Sequence, residues 1–122
     1  MPHSPGFLKI VAEAKSHIKE LTLDQVLEKM RAKHAFIFVD TREDEEWKAG
    51  RAQGAIHLGK GVIERDVEGV IPDKNAEIIL YCGGGFRSAL AAESLQRMGY
   101  TNVFSMDGGI KAWRDRKLPE DK

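Results

Sequence analysis

In this 122-residue chain a cysteine, three glycines and an arginine stand close enough together to do covalent chemistry, in the run Cys82-Gly83-Gly84-Gly85-Phe86-Arg87-Ser88. Cysteine attacks as the thiolate, and a thiolate is favoured where backbone N–H groups, a helix N-terminus and a cation converge. Glycines let a loop turn with its amides pointing inward and no side chain in the way. Arg87 adds a permanent charge and a fork of donors suited to an anionic oxygen group. The pattern predicts a nucleophilic Cys82 thiolate in an anion-binding loop, cradled by the amides of residues 83 to 88.

The flanking residues show what must hold that loop. Ile78-Ile79-Leu80-Tyr81 is an uninterrupted apolar run, which predicts a short strand buried on both faces as in a parallel sheet. From Phe86 the pattern turns helical, with Leu90, Ala91, Ser94, Leu95 and Met98 on one face, and Gly99 ends it. Phe36-Ile37-Phe38-Val39 and Val103-Phe104-Ser105 read as two further buried strands. Ligands gather beyond the carboxyl ends of such strands, which places Asp40 and Arg42 on the same side of the sheet as Cys82. They read as an ion pair holding loops together.

Four segments in order resemble the rhodanese (thiosulfate sulfurtransferase) family. They are Val39-Asp40-Thr41-Arg42 with Glu45-Glu46-Trp47, then Gly50 to Leu58, then Cys82 to Ser88, and finally Met106 to Trp113 with Leu118-Pro119. The resemblance spans roughly residues 20 to 119, and departs from the family pattern where Arg51 replaces a usual histidine and Ala52 a larger aliphatic residue. It implies a single rhodanese-like α/β domain with a mainly parallel central sheet flanked by helices on both faces. It also implies a sulfurtransferase that moves a sulfane sulfur, through a Cys82 persulfide, from a small anionic donor (thiosulfate or a persulfide) to cyanide or an external thiol such as glutathione or thioredoxin. In that scheme Gly83, Gly84, Gly85, Phe86, Arg87 and Ser88 bind substrate and persulfide, with Arg87 on the donor's sulfonate. Asp40 and Arg42 support the site, and no cofactor is called for.

Composition bounds the alternatives. Lys plus Arg and Asp plus Glu each number 19, so no global charge points to nucleic acid or an anionic membrane. A single cysteine excludes an internal disulfide and argues for a reducing, cytoplasmic setting. It also means that whatever discharges a modified Cys82 comes from outside the chain. No stretch approaches the ~18–20 apolar residues that cross a bilayer. His3, His17, His34 and His57 lack metal-ligand spacing and read as structural or surface residues, so no metal site is expected.

The rest of the chain predicts the scaffold. Leu8, Val11, Ala14, Ile18 and Leu21 recur at near-helical spacing, giving an amphipathic N-terminal helix over residues 1–20 ahead of the rhodanese-like domain at 21–122. Thr22 with Gln25 forms a capping box for a second helix ending near Lys33. Glu43 to Ala49 reads as a short polar helix with Trp47 as its inward anchor. Lys60 and Arg65 read as solvated cations.

Three rivals remain. Cysteine phosphatases use a loop one residue longer, which enlarges the cradle for a phosphoryl group. A dinucleotide fingerprint fails because Ser88 stands where its third glycine belongs. A non-enzymatic rhodanese-like carrier or binding module differs from an enzyme only in what discharges Cys82.

Overall fold

Ile78, Ile79, Leu80 and Tyr81 are all fully buried, as their unbroken apolar run requires. In the computed structural model, which describes residues 3–122, they form the middle strand of a five-stranded sheet. In chain order the elements are α1 (Pro5–Lys15), β1 (Lys19–Leu21), α2 (Leu23–Arg31), β2 (Ile37–Asp40), α3 (Asp44–Ala49), β3 (Arg51–Ala52), β4 (Ile56–His57), α4 (Ile63–Val70), β5 (Ile78–Tyr81), α5 (Phe86–Arg97), β6 (Val103–Met106), α6 (Gly109–Asp115) and β7 (Glu120–Asp121). The sheet order is β1-β6-β5-β2-β4 and every pairing in it is parallel. A separate antiparallel pair joins β3 to β7. The mainly parallel α/β architecture expected from the sequence is therefore present.

Alternation along β5 divides the core between the two faces of the sheet. Ile78 and Leu80 meet Ile63 and Val67 of α4 and Ala91, Ala92 and Leu95 of α5. Ile79 and Tyr81 meet Leu23 and Val26 of α2 and Ile110 and Trp113 of α6. A fully buried side chain of this size stabilises by about 1.5–3 kcal/mol, so β5 anchors both layers.

The topology also fixes where a ligand can reach the backbone. From β5 the chain crosses to β6 on one side, whereas from β2 it crosses to β4 on the other. The carboxyl ends of β5 and β2 therefore flank a switch point, the crevice where open α/β sheets bind ligands. Cys82 leaves one strand there and Thr41 and Arg42 leave the other.

Three local expectations are corrected. The N-terminal helix stops at Lys15, and Lys19–Leu21 instead joins the sheet beside β6. Ile18 packs into one face of the core and Leu21 into the other, the signature of a strand, although a spacing of three also fits a helix. Trp47 is only half-buried, stacks on His57 at 4.8 Å, and carries the Arg51 guanidinium 4.3 Å above its ring, so it belongs to a surface stack and not to the core. In α5, Ala91 and Leu95 are buried and Met98, just past its end, packs on the core as expected, but Ser88, Ala89 and Ala92 are buried too and Leu90 is only half-buried. The capping box holds: Thr22 Oγ1 accepts the Gln25 N–H at 3.1 Å and Gln25 Oε1 accepts the Thr22 N–H at 2.8 Å.

Candidate active site

The sulfur of Cys82 lies just beyond the end of β5, and the residue is only 1% exposed. Its Sγ accepts the Gly85 N–H at 3.1 Å and lies 3.5 Å from Ser88 Oγ. Ser88 Oγ is in turn 2.8 Å from Ser105 Oγ on β6, and both serines are fully buried. Gly85 makes this possible because its φ of +101°, at the N-cap of α5, turns its amide back toward the sulfur. Of the cradle amides expected from the sequence, Gly85 supplies the one bonded to Sγ, and the positive end of α5 opens beside it.

The other side of the loop is tied to α6. Ile110 N–H donates to Cys82 O at 2.8 Å and Lys111 N–H to Gly83 O at 3.2 Å. These bonds hold the loop from behind and leave its front free. Gly84 is exposed there, at the mouth of a hollow of about 300 Å³ lined by His3, Phe7, Cys82, Gly84, Phe86 and Arg87. His3, expected to be structural or at the surface, is thus part of the site's wall.

Arg87 does not stand free over the sulfur. Its Nη1 and Nη2 donate to the two carboxylate oxygens of Glu46 on α3, at 2.6 and 3.1 Å. Those hydrogen bonds, ahead of burial, hold the Glu46 carboxyl below the ordinary glutamate range, and the same contact raises Arg87. Two of the five guanidinium N–H groups are committed and the others remain for a ligand. Behind Arg87 a larger hollow of about 610 Å³ is lined by Thr41 to Glu45, by Gly59 to Val62 and by Arg87 itself. Lys60 faces this second hollow, whereas Arg65 pairs with Asp66 at 2.7 Å on the surface.

Asp40 and Arg42 form a buried ion pair at 2.8 Å within the scaffold. Asp40 also accepts the Arg42 backbone N–H at 2.8 Å and the Tyr81 hydroxyl at 2.7 Å. Arg42 donates to Gly50 O at 2.7 Å, and Tyr81 Oη accepts the Ala52 N–H at 3.1 Å. The network ties the ends of β2 and β5 together and so fixes the crevice. Among the described residues no buried side-chain nitrogen or oxygen lacks a partner.

Tyr81→Phe should lower unfolding stability by about 2 kcal/mol in urea titrations, because the buried Ala52 N–H loses its acceptor and Asp40 a donor. Burial, then the charge of Asp40, pushes the Tyr81 hydroxyl well above its usual range. With the folded value raised, its contribution is complete below the ordinary tyrosine range and fades only as pH climbs through the raised one. The gap between wild type and variant should stay constant through neutral pH and narrow only in strong alkali. A gap under about 0.5 kcal/mol at neutral pH would show that the hydroxyl's bonds are not structural.

Known proteins resemble this chain in sequence and in fold. The family described as Rhodanese-like domain matches residues 22–116. A Haemophilus influenzae protein named thiosulfate sulfurtransferase GlpE is 35% identical over 103 residues, covering 84% of this chain and 94% of its own. Escherichia coli thiosulfate sulfurtransferase PspE is 34% identical over 85 residues, covering 70% and 78%. A solved structure from Rhodopseudomonas palustris, described as a protein of unknown function and possible tyrosine phosphatase, superposes with a TM-score of 0.87 at 29% identity over 99% of both chains. Among the described residues no helix is long and apolar enough to cross a membrane.

Proposed function

Since the chain belongs to the rhodanese-like domain family, we propose that it is a sulfurtransferase that loads a sulfane sulfur onto Cys82 and passes it to an external thiol or cyanide. The observation that carries this is the Gly85 N–H directed at Cys82 Sγ from the N-cap of α5, at the base of a hollow with Arg87 on its wall. Thiolate attack on the outer sulfur of thiosulfate forms the Cys82 S–S bond, and the electron pair of the broken S–S bond leaves with sulfite. The loop amide and the positive end of α5 offset the negative charge on the terminal sulfur. An acceptor thiolate then attacks that sulfur, forming a new persulfide and returning Cys82 as thiolate, so ping-pong kinetics are expected. A reducing, cytoplasmic setting would supply such thiols.

The test is intact mass spectrometry of the full chain after exposure to thiosulfate or glutathione persulfide. A gain of about 32 Da, reversed by cyanide or glutathione, is expected. No gain with either donor overturns the proposal.

The loop length separates this reading from phosphatase chemistry, since only four residues lie between Cys82 and Arg87. Hydrolysis of p-nitrophenyl phosphate should be absent. The Arg87–Glu46 ion pair yields a further expectation. Glu46→Gln removes the countercharge from Arg87 and should lower the KM for thiosulfate about two- to fivefold, the scale of a partly exposed ion pair. A KM that stays level or rises would mean that Glu46 aligns Arg87 for the donor and does not compete with it.

A further inference from the structure

Helix α1 lies outside the segment matched by the family, which begins at residue 22, yet it supplies one wall of the hollow over Cys82. The Phe7 and Phe86 ring centroids are 6.1 Å apart. The His3 ring stands 5.2 Å from Phe7 and 4.8 Å from Phe86. Lys15 Nζ lies 5.4 Å from the Phe86 centroid, and pairs with Glu20 at 3.3 Å and Asp107 at 3.7 Å. Val11 and Ala14 are buried where α1 packs on α5, so this wall is docked against the helix that carries Arg87.

The lining of the hollow combines two chemistries: two phenyl rings and an imidazole, together with a sulfur, a loop backbone and a guanidinium. At about 300 Å³ the space far exceeds what an inorganic anion such as thiosulfate occupies, and it meets the lower bound of about 300–1,000 Å³ typical of small-molecule pockets. With Cys82 only 1% exposed, a donor that reaches the sulfur through this hollow passes against the aromatic wall.

We propose that Phe7, with His3 beside it, is a specificity-determining residue that selects sulfane-sulfur donors carrying an aromatic body next to an anionic sulfur group. The tilted rings pack on one another and present an aromatic surface to the hollow that rewards a flat apolar body, while Arg87 meets its anionic end. This inference rests on the sulfurtransferase reading.

The test uses the full chain with cyanide as acceptor and two donors, benzenethiosulfonate and thiosulfate. The wild type should show the larger kcat/KM with the aryl donor. Phe7→Ala should lower the ratio of kcat/KM for benzenethiosulfonate over thiosulfate about tenfold, through KM, since uniform binding energy is lost. Phe7→Leu, which keeps most of the packing bulk, should give an intermediate ratio and guards against a folding defect. A loss that is equal for both donors, in both variants, would assign Phe7 a structural role and overturn the inference. So would a wild type that favours thiosulfate. If both donors load the wild type and the ratio does not move, only the aromatic selection fails. If neither donor adds sulfur to the wild type, the sulfurtransferase reading fails and takes this inference with it.

Discussion

Cys82→Ser is expected to leave a folded protein with at least about 10⁴-fold less sulfur transfer, the scale of losing a covalent nucleophile. The side chain sits where a hydroxyl can keep the local hydrogen bonds, accepting the Gly85 N–H and meeting Ser88 Oγ. Unfolding stability should therefore change by less than about 1 kcal/mol. A hydroxyl at this position cannot form the persulfide. Steady-state kinetics with thiosulfate and cyanide, with mass spectrometry beside them, read both halves of the expectation. Retention of more than about one hundredth of wild-type kcat/KM would remove Cys82 from the reaction. A wild type that gains sulfur but turns over no acceptor would instead make the chain a carrier whose discharge needs a specific partner.

Gly109→Ala is expected to have the largest effect of any change outside the loop. Gly109 sits at φ +54°, and a Cβ there would press on Cys82 O and come within 2.7 Å of the Gly83 carbonyl carbon and oxygen. Those are backbone atoms of the sulfur-bearing turn, and they cannot give way as the tip of a flexible side chain can. Relief requires α6 to withdraw, which breaks the Ile110 and Lys111 bonds to the loop. The strain should cost about 3 kcal/mol in urea unfolding. Displacing the sulfur by a fraction of an ångström to one ångström should lower kcat/KM about 10²-fold. Gly84→Ala is the matched control for stability, because its Cβ meets nothing within 4 Å, and it should shift unfolding by less than about 0.5 kcal/mol. If Gly109→Ala matches that control in stability and keeps wild-type kinetics, the bracing by α6 has no functional weight.

The parallel sheet was legible in the chain because its central strands are continuous apolar runs, a pattern that only burial on both faces explains. The sulfur loop was legible because a cysteine, three glycines and an arginine are contiguous. What escaped was non-local. Glu46 is one of four consecutive acidic residues, and nothing in its neighbourhood marks it as the partner of an arginine 41 positions away. The bracing by α6 runs through backbone amides, which carry no side-chain signature, and only Gly109 hints at the close approach. Lys19–Leu21 is too short to show a period of its own. It becomes a strand because β6 offers unpaired backbone groups in register with it, and the same pairing ends the preceding helix early.

The pair of buried serines links the sulfur, through α5, to the neighbouring strand β6. Sγ to Ser88 Oγ and Ser88 Oγ to Ser105 Oγ are two contacts in series, and among the described residues neither hydroxyl has another bond. Through them the placement of β6 bears on where the sulfur sits, by way of side chains alone and at a strand that the loop's own sequence does not include.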